Sequence, residues 1–264
     1  MFGLLRSTFL KRAGVLVALG SALGARAGTL YTVDVDTHEL QTFDTRTLTF
    51  TNVAPMGVGF DFGNLAYNGS TMYMSQGYAG SNLYTLNLTN GDGTLVGNTG
   101  LTDLFGLSFD GSGNLWGGLS SEGTGFYSVN SGTGAATEIG NPGFDLDALA
   151  YLPTTGQLLG IDAGPGTLYS INTGTGAGTL ISNTGMYINN CAMTYDPDTG
   201  LLWVVDWSGQ VITFNPNNNF AETVVLNGQD AHDGLAGIVG PAPEPATIAG
   251  IGIGVMALLR RRRK

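Results

Sequence analysis

Five short motifs recur along this chain at nearly constant spacing, and a repeat of that length constrains the fold more than any other feature. Leu65-Ala-Tyr67, Leu107-Ser-Phe109, Leu149-Ala-Tyr151, Met193-Thr-Tyr195 and Leu235-Ala-Gly237 stand 42, 42, 44 and 42 residues apart. Each of the first four is followed by a turn sequence, such as Asn68-Gly-Ser70 or Asp196-Pro-Asp-Thr-Gly200. A second apolar run follows, as in Thr71 to Met74 and Leu201 to Val205, then a third, as in Leu83 to Leu86, Phe126 to Val129 and Leu168 to Ile171. Short apolar runs separated by Gly, Asn, Asp and Pro read as strands and tight turns. Four strands in roughly 42 residues is the period of a β-propeller blade.

The two ends complete the count. Residues 29–57 hold a second, a third and a fourth strand (Leu30 to Val35, Leu40 to Phe43, Thr47 to Val53) without a first. Gly234 to Val239 is a first strand with no successor before the chain changes character. Joined, they make an all-β, five-bladed propeller over residues 28–240, its ring closed by N- and C-terminal strands. Closure pairs edges that an open array would expose. A flat β-solenoid is the competing architecture, but it favours shorter periods and leaves the split unit unexplained.

Both termini carry address-like segments. Arg6, Lys11 and Arg12 precede the apolar run Ala13 to Leu23, and Ala25-Arg26-Ala27 places small residues before Gly28. That layout predicts a secretory signal peptide, a helical 1–27 cut between Ala27 and Gly28. At the other end, Pro243-Glu-Pro245 is followed by the apolar stretch Thr247 to Leu259 and by Arg260, Arg261, Arg262, Arg263 and Lys264. As a helix that stretch rises about 20 Å against a hydrocarbon core of roughly 30 Å. It suits a temporary anchor better than a permanent transmembrane span, with the basic end cytoplasmic. The triplet (Pro243, Glu244, Pro245), the short hydrophobic helix and the arginine run closely resemble the PEP-CTERM sorting signal over 241–264. The resemblance implies export, transient residence in the inner membrane, and processing near the triplet by an exosortase-type enzyme. It further implies a final place at the cell surface or outside the cell, among extracellular polysaccharide and biofilm material.

Setting those ends aside changes the charge. Nine of the ten Lys and Arg lie in them; only Arg46 remains between residues 28 and 245, against all twenty Asp and Glu. A net charge near −19 argues against nucleic acid and anionic lipid as partners and favours cations or neutral polymers. The single Cys191 sits in an apolar strand pattern and reads as core.

One acidic pattern follows the repeat. Asp61, Asp103 and Asp145 stand four residues before successive motif leucines; Asn189 takes that place in the next unit, and Asp147 and Asp233 form a second, partial set. In a propeller these positions approach the central channel from loops between blades. Gathered carboxylates repel, which raises their pKa values or recruits a cation, and an oxygen-only ring suits calcium. Alternatively each aspartate accepts backbone N–H groups of its own turn and repeats only because the blade repeats. Asp196-Pro-Asp-Thr-Gly200, which looks like a calcium loop, reads as a hairpin turn by its Pro and Gly.

Catalysis draws little support. His38 and His232 are the only histidines, and a glycosidase carboxylate pair would have to be drawn from the ring aspartates. The chain reads as non-enzymatic: an exported surface or matrix protein whose propeller binds polysaccharide or another surface component. The alternatives are a propeller lectin, with Tyr78 and Trp207 stacking on sugar faces, and a glycoside hydrolase acting on extracellular polysaccharide.

Overall fold

A computed structural model describes residues 28–120 and 124–238. The expected signal peptide with Ala25 and Ala27, the Pro243-Glu244-Pro245 triplet, the arginine run and both terminal helices lie outside the described residues. Among the described residues, no helix is long and apolar enough to cross a membrane.

The repeat becomes five antiparallel four-stranded sheets. Blade 2 contains β4 (Leu65–Tyr67), β5 (Met72–Ser75), β6 (Asn82–Leu86) and β7 (Gly93–Asn98). Blade 3 contains β8 (Leu104–Phe109), β9 (Leu115–Leu119), β10 (Gly125–Val129) and β11 (Ala136–Gly140). Blade 4 runs β12 (Ala148–Leu152), β13 (Gln157–Asp162), β14 (Thr167–Ile171) and β15 (Gly178–Asn183). Blade 5 runs β16 (Cys191–Asp196), β17 (Leu201–Asp206), β18 (Val211–Asn215) and β19 (Ala221–Leu226). Blade 1 is the composite that the split repeat predicts: β1 (Thr29–Asp34), β2 (Glu39–Asp44) and β3 (Thr49–Pro55), with β20 (His232–Gly237) as its innermost strand. Thr32 pairs with Leu235 and Asp34 with His232, so the two ends of the domain close the ring. The inner strands β4, β8, β12, β16 and β20 contact one another in sequence and β20 returns to β4, which a solenoid cannot do.

Burial follows strand position. Inner strands are almost wholly buried, whereas no residue of β3, β7, β11, β15 or β19 is. Each blade shifts register between its third and fourth strands at the same place: Leu40/Gln41, Leu83/Tyr84, Phe126/Tyr127, Leu168/Tyr169 and Val211/Ile212. A bulge there increases the local twist, turning the outer edge away from an incoming strand.

The hydrophobic core is divided among the blade interfaces. Phe43 and Trp203 pack between blades 1 and 5, Phe60 and Val33 between 1 and 2, Leu83 and Leu104 between 2 and 3. Phe126 and Leu146 fill the contact of blades 3 and 4, and Ile161 and Phe214 that of blades 4 and 5. Cys191 is buried in that last cluster, as expected. Backbones meet at Gly97, where a Cβ would stand 1.9 Å from the Thr133 carbonyl oxygen, so only glycine lets β7 touch this turn of blade 3.

Candidate functional site: a channel open at one mouth

The inner strands run side by side along the channel, and side chains two residues apart point to the same face. Leu65, Leu107, Leu149, Met193 and Leu235 therefore form one tier, and Tyr67, Phe109, Tyr151 and Tyr195 the next. In blade 1 the aromatic position is Gly237. The result is a cavity of about 630 Å³, with an apolar wall and an aromatic rim. The rim is kept open by small residues. A Cβ on Gly111 would fall 2.5 Å from the Tyr151 hydroxyl, so glycine there makes room for that ring.

Asp110 is the only charged residue lining this cavity among the described residues. Its carboxylate accepts the Ser112 and Asn114 N–H groups, the Asn114 amide and the Trp116 indole N–H, at 2.8 to 3.0 Å. Partial burial pushes its pKa up, but these donors outweigh burial and hold it below the usual carboxylate value.

The opposite mouth is sealed. Phe62 lies at its centre with ring centroids 4.5 Å from Trp207, 5.4 Å from Tyr78 and 5.8 Å from Phe105. Those partners come from blade 5 as well as blades 2 and 3, so the plug crosses the axis. Phe62 adopts φ +55°, a left-handed backbone that an aromatic residue rarely takes. The two aromatics expected to offer a sugar platform, Tyr78 and Trp207, thus serve the plug while remaining 42% and 40% exposed.

The aspartates singled out by the repeat gather on this sealed side, in unequal settings. Asp61 is half-buried and bridges to Gly77 through its backbone; Asp103 is buried with φ +62°; Asp145 is exposed. Asp147 is buried and accepts the Ser120 hydroxyl at 2.7 Å and the Ala163 N–H at 2.8 Å. Burial pushes its pKa up, and Asp145 adds to the shift. Asp233 accepts from the Gly234 N–H at 2.8 Å. Burial, reinforced by Asp147 and Asp61, pushes its pKa up to about 8. Among the described residues, no three His, Cys, Asp or Glu side chains come together in a way that could hold a metal.

Sequence reasoning missed Asp162 and Asp206, which end the second strands of blades 4 and 5 as Asp34 ends that of blade 1. Asp34 and Asp206 tie their own turns, to Asp36 and Thr37 and to Ser208 and Gln210. Asp162 is half-buried and pushed up to about 6 by burial, with Asp147 and Asp145 adding. The signal was the shared strand ending in Leu158 to Asp162 and Leu202 to Asp206. The Asp196 segment is the hairpin turn expected of it, with Asp198 N–H donating to the Asp196 carboxylate and Gly200 at φ +71°. His232 stacks on Phe50 and reaches the Gln41 side chain and the Asp230 carbonyl, so it serves the closing strand.

Comparison with known proteins adds the terminus and confirms the architecture. Residues 241–264 match the family described as the PEP-CTERM protein-sorting motif. The chain therefore carries that sorting signal, which implies an exported protein processed by an exosortase. No curated protein matches the chain. Among solved structures, the chain is similar to one in a crystallised nidogen–laminin complex, with 14% identity and a TM-score of 0.57, covering 82% of this chain and 83% of that one. It is also similar to a protein of unknown function from Bacteroides thetaiotaomicron, with 18% identity and a TM-score of 0.55. That match covers 77% of this chain but 56% of the other. At such identities the likeness shows the propeller fold alone.

Proposed function

We propose that this exported propeller is a non-catalytic binding protein of the cell surface or extracellular matrix, and that it takes polysaccharide at the tyrosine-rimmed mouth. The observation that carries the reading is the cavity of about 630 Å³, ringed by Tyr67, Phe109, Tyr151 and Tyr195 and lined by one acidic and no basic group among the described residues. Aromatic faces pack against the C–H faces of sugar rings, and tyrosine hydroxyls bond their hydroxyls. The plug makes the cavity blind, so it suits a chain end or a looped segment rather than a threaded polymer. The acidic body disfavours polyanions and admits neutral or amine-bearing sugars.

Binding rather than hydrolysis is supported by where the proton donors sit. Asp110, beside the cavity, is held ionised and cannot act as a general acid near neutral pH. The acids with raised pKa values, Asp147, Asp162 and Asp233, belong to the sealed side. A hydrolase reading would have to use that side, with Asp162 as its acid.

The test is calorimetric titration with neutral and amine-bearing oligosaccharides, with and without EDTA, against Tyr151→Leu/Tyr195→Leu. Loss of two stacking contacts should weaken binding about tenfold or more. Equal binding by the folded double variant would remove the site from this mouth. Loss of binding in EDTA would restore the calcium reading. Turnover abolished by Asp162→Asn would favour the hydrolase.

A further inference from the structure

We propose that cleavage before Gly28 creates a charged N-terminus that latches blade 1 to blade 5 through Asp198. In the structure the Gly28 N–H already donates to Asp198 Oδ2 at 3.0 Å, across the seam where the ring closes. Blade 1 holds the other side of the same residue. The Gly28 carbonyl accepts the Thr45 N–H at 2.7 Å and stands 3.2 Å from the Thr45 hydroxyl. Thr45 lies in the turn between β2 and β3, and Asp198 in the turn between β16 and β17. One residue thus joins two blades whose strands share no hydrogen-bonded sheet.

The site is built for glycine at this position. Gly28 is buried, has φ +80°, and a Cβ on it would fall 2.6 Å from Thr45 Oγ1. Its surroundings are acidic. The buried Asp196 carboxylate stands 3.1 Å from the Thr45 hydroxyl and accepts the Asp198 N–H at 3.0 Å. Among the described residues the nearest cation, Arg46, lays its aliphatic stem along Gly28 but pairs its guanidinium with Asp44 at 3.2 Å. Among the described residues, the carboxylates of blade 5 therefore face Gly28 N without a competing side-chain cation.

Hydrolysis of the Ala27–Gly28 peptide bond adds water across it. Ala27 leaves with a carboxylate, and Gly28 keeps the nitrogen as an amine that is protonated near neutral pH. One neutral N–H donor becomes an ammonium with three, beside Asp198. A charge-assisted hydrogen bond is roughly twice as strong as a neutral one. Removal of the export signal thus strengthens the ring at its seam, so the processed chain is more stable than its precursor.

The experiment compares three chains, each continuing to Lys264: one starting at Gly28, one starting at Ala27, and one starting at Nα-acetylated Gly28. At pH 7 the Gly28 chain should melt about 2–4 °C above the other two. The carboxylate raises the amine pKa above its usual value near 8. The extra stability is therefore complete below that usual value and is lost as pH rises through the raised one. Salt should shrink the difference and Asp198→Asn should abolish it. A second readout is the amine pKa itself, followed by NMR after reductive ¹³C-methylation: raised in the native chain, ordinary in Asp198→Asn. Equal melting of all three chains at pH 7, or an amine pKa unmoved by Asp198→Asn, would overturn the latch.

Discussion

The most informative single substitution is Asp233→Asn, because the reasoning about buried carboxylates stands or falls on its pH dependence. Asp233 is buried in the inner strand that closes the ring, with Asp147 and Asp61 as charged neighbours and Cys191 nearby. Burial first, and then those carboxylates, lift its pKa from 3.8 to about 8. Between those two values the folded chain holds a proton that the unfolded chain has released. A raised pKa gives stability that is complete below the unfolded value and is lost as pH rises through the folded one. One such proton contributes a slope of about −1.4 kcal/mol per pH unit. By pH 7 the loss from this group reaches up to about 4 kcal/mol. Asparagine keeps an oxygen to accept the Gly234 N–H and carries no titrating proton. Urea unfolding at pH 5, 6, 7 and 8 should show the variant's stability falling less steeply, by about 1.4 kcal/mol per unit. Near pH 7 the variant should melt on the order of 10 °C higher. Asp147 and Asp162 titrate with the same sign in both proteins, so the difference isolates Asp233. Parallel slopes would refute the argument and mean that Asp233 is ionised in the native state, as it would be beside a bound cation.

Two more outcomes test the packing. Gly97→Ala drives a methyl into the Thr133 carbonyl oxygen and should cost about 1–3 kcal/mol, read as a lower Tm; Gly164→Ala, with no atom within 4 Å of the added methyl, should leave the Tm unchanged. The Cys191 thiol is buried and its pKa is raised by burial, with Asp147 and Asp233 adding. It should therefore ignore a thiol reagent at pH 8 until the chain unfolds, and prompt labelling of the native protein would contradict a buried seam between blades 4 and 5.

The blade count was legible because the repeat imposes it. The Leu-Ala-Tyr motif and its turns give the period, and the unpaired strands at 29–53 and 234–239 reveal the composite blade from sequence. The channel's chemistry was only half legible. Tyr67, Phe109, Tyr151 and Tyr195 recur openly, yet a strand pattern alone does not say that one end of an inner strand opens into a cavity while the other is sealed. The seal depends on Phe62 in a left-handed conformation meeting Trp207 from a non-adjacent blade, and no local spacing encodes such a contact. The repeat aspartates lie on one side of the channel, but they differ in burial. Asp145 is exposed and Asp103 buried, although both stand four residues before their motif leucines. A repeat predicts equivalent backbone; it does not predict equivalent solvation, and solvation decides which carboxylates hold protons.

The same geometry relates the cavity to the sorting signal. The inner strands run from the sealed, acidic end of the channel toward the open, aromatic end. β20 is the last of them, and it finishes at Gly237, on the cavity rim. The chain that leads to the motif at 241–264 therefore leaves the propeller beside the open mouth. Between Gly237 and the apolar stretch that begins at Thr247, even a fully extended backbone reaches only about 35 Å. Whatever holds that stretch keeps the open mouth within the same distance. Exosortase processing that detaches that stretch would remove the constraint from the very rim proposed to take a polysaccharide. A bulky polymer gains more from that release than a short oligosaccharide does, because only the polymer needs the space around the rim.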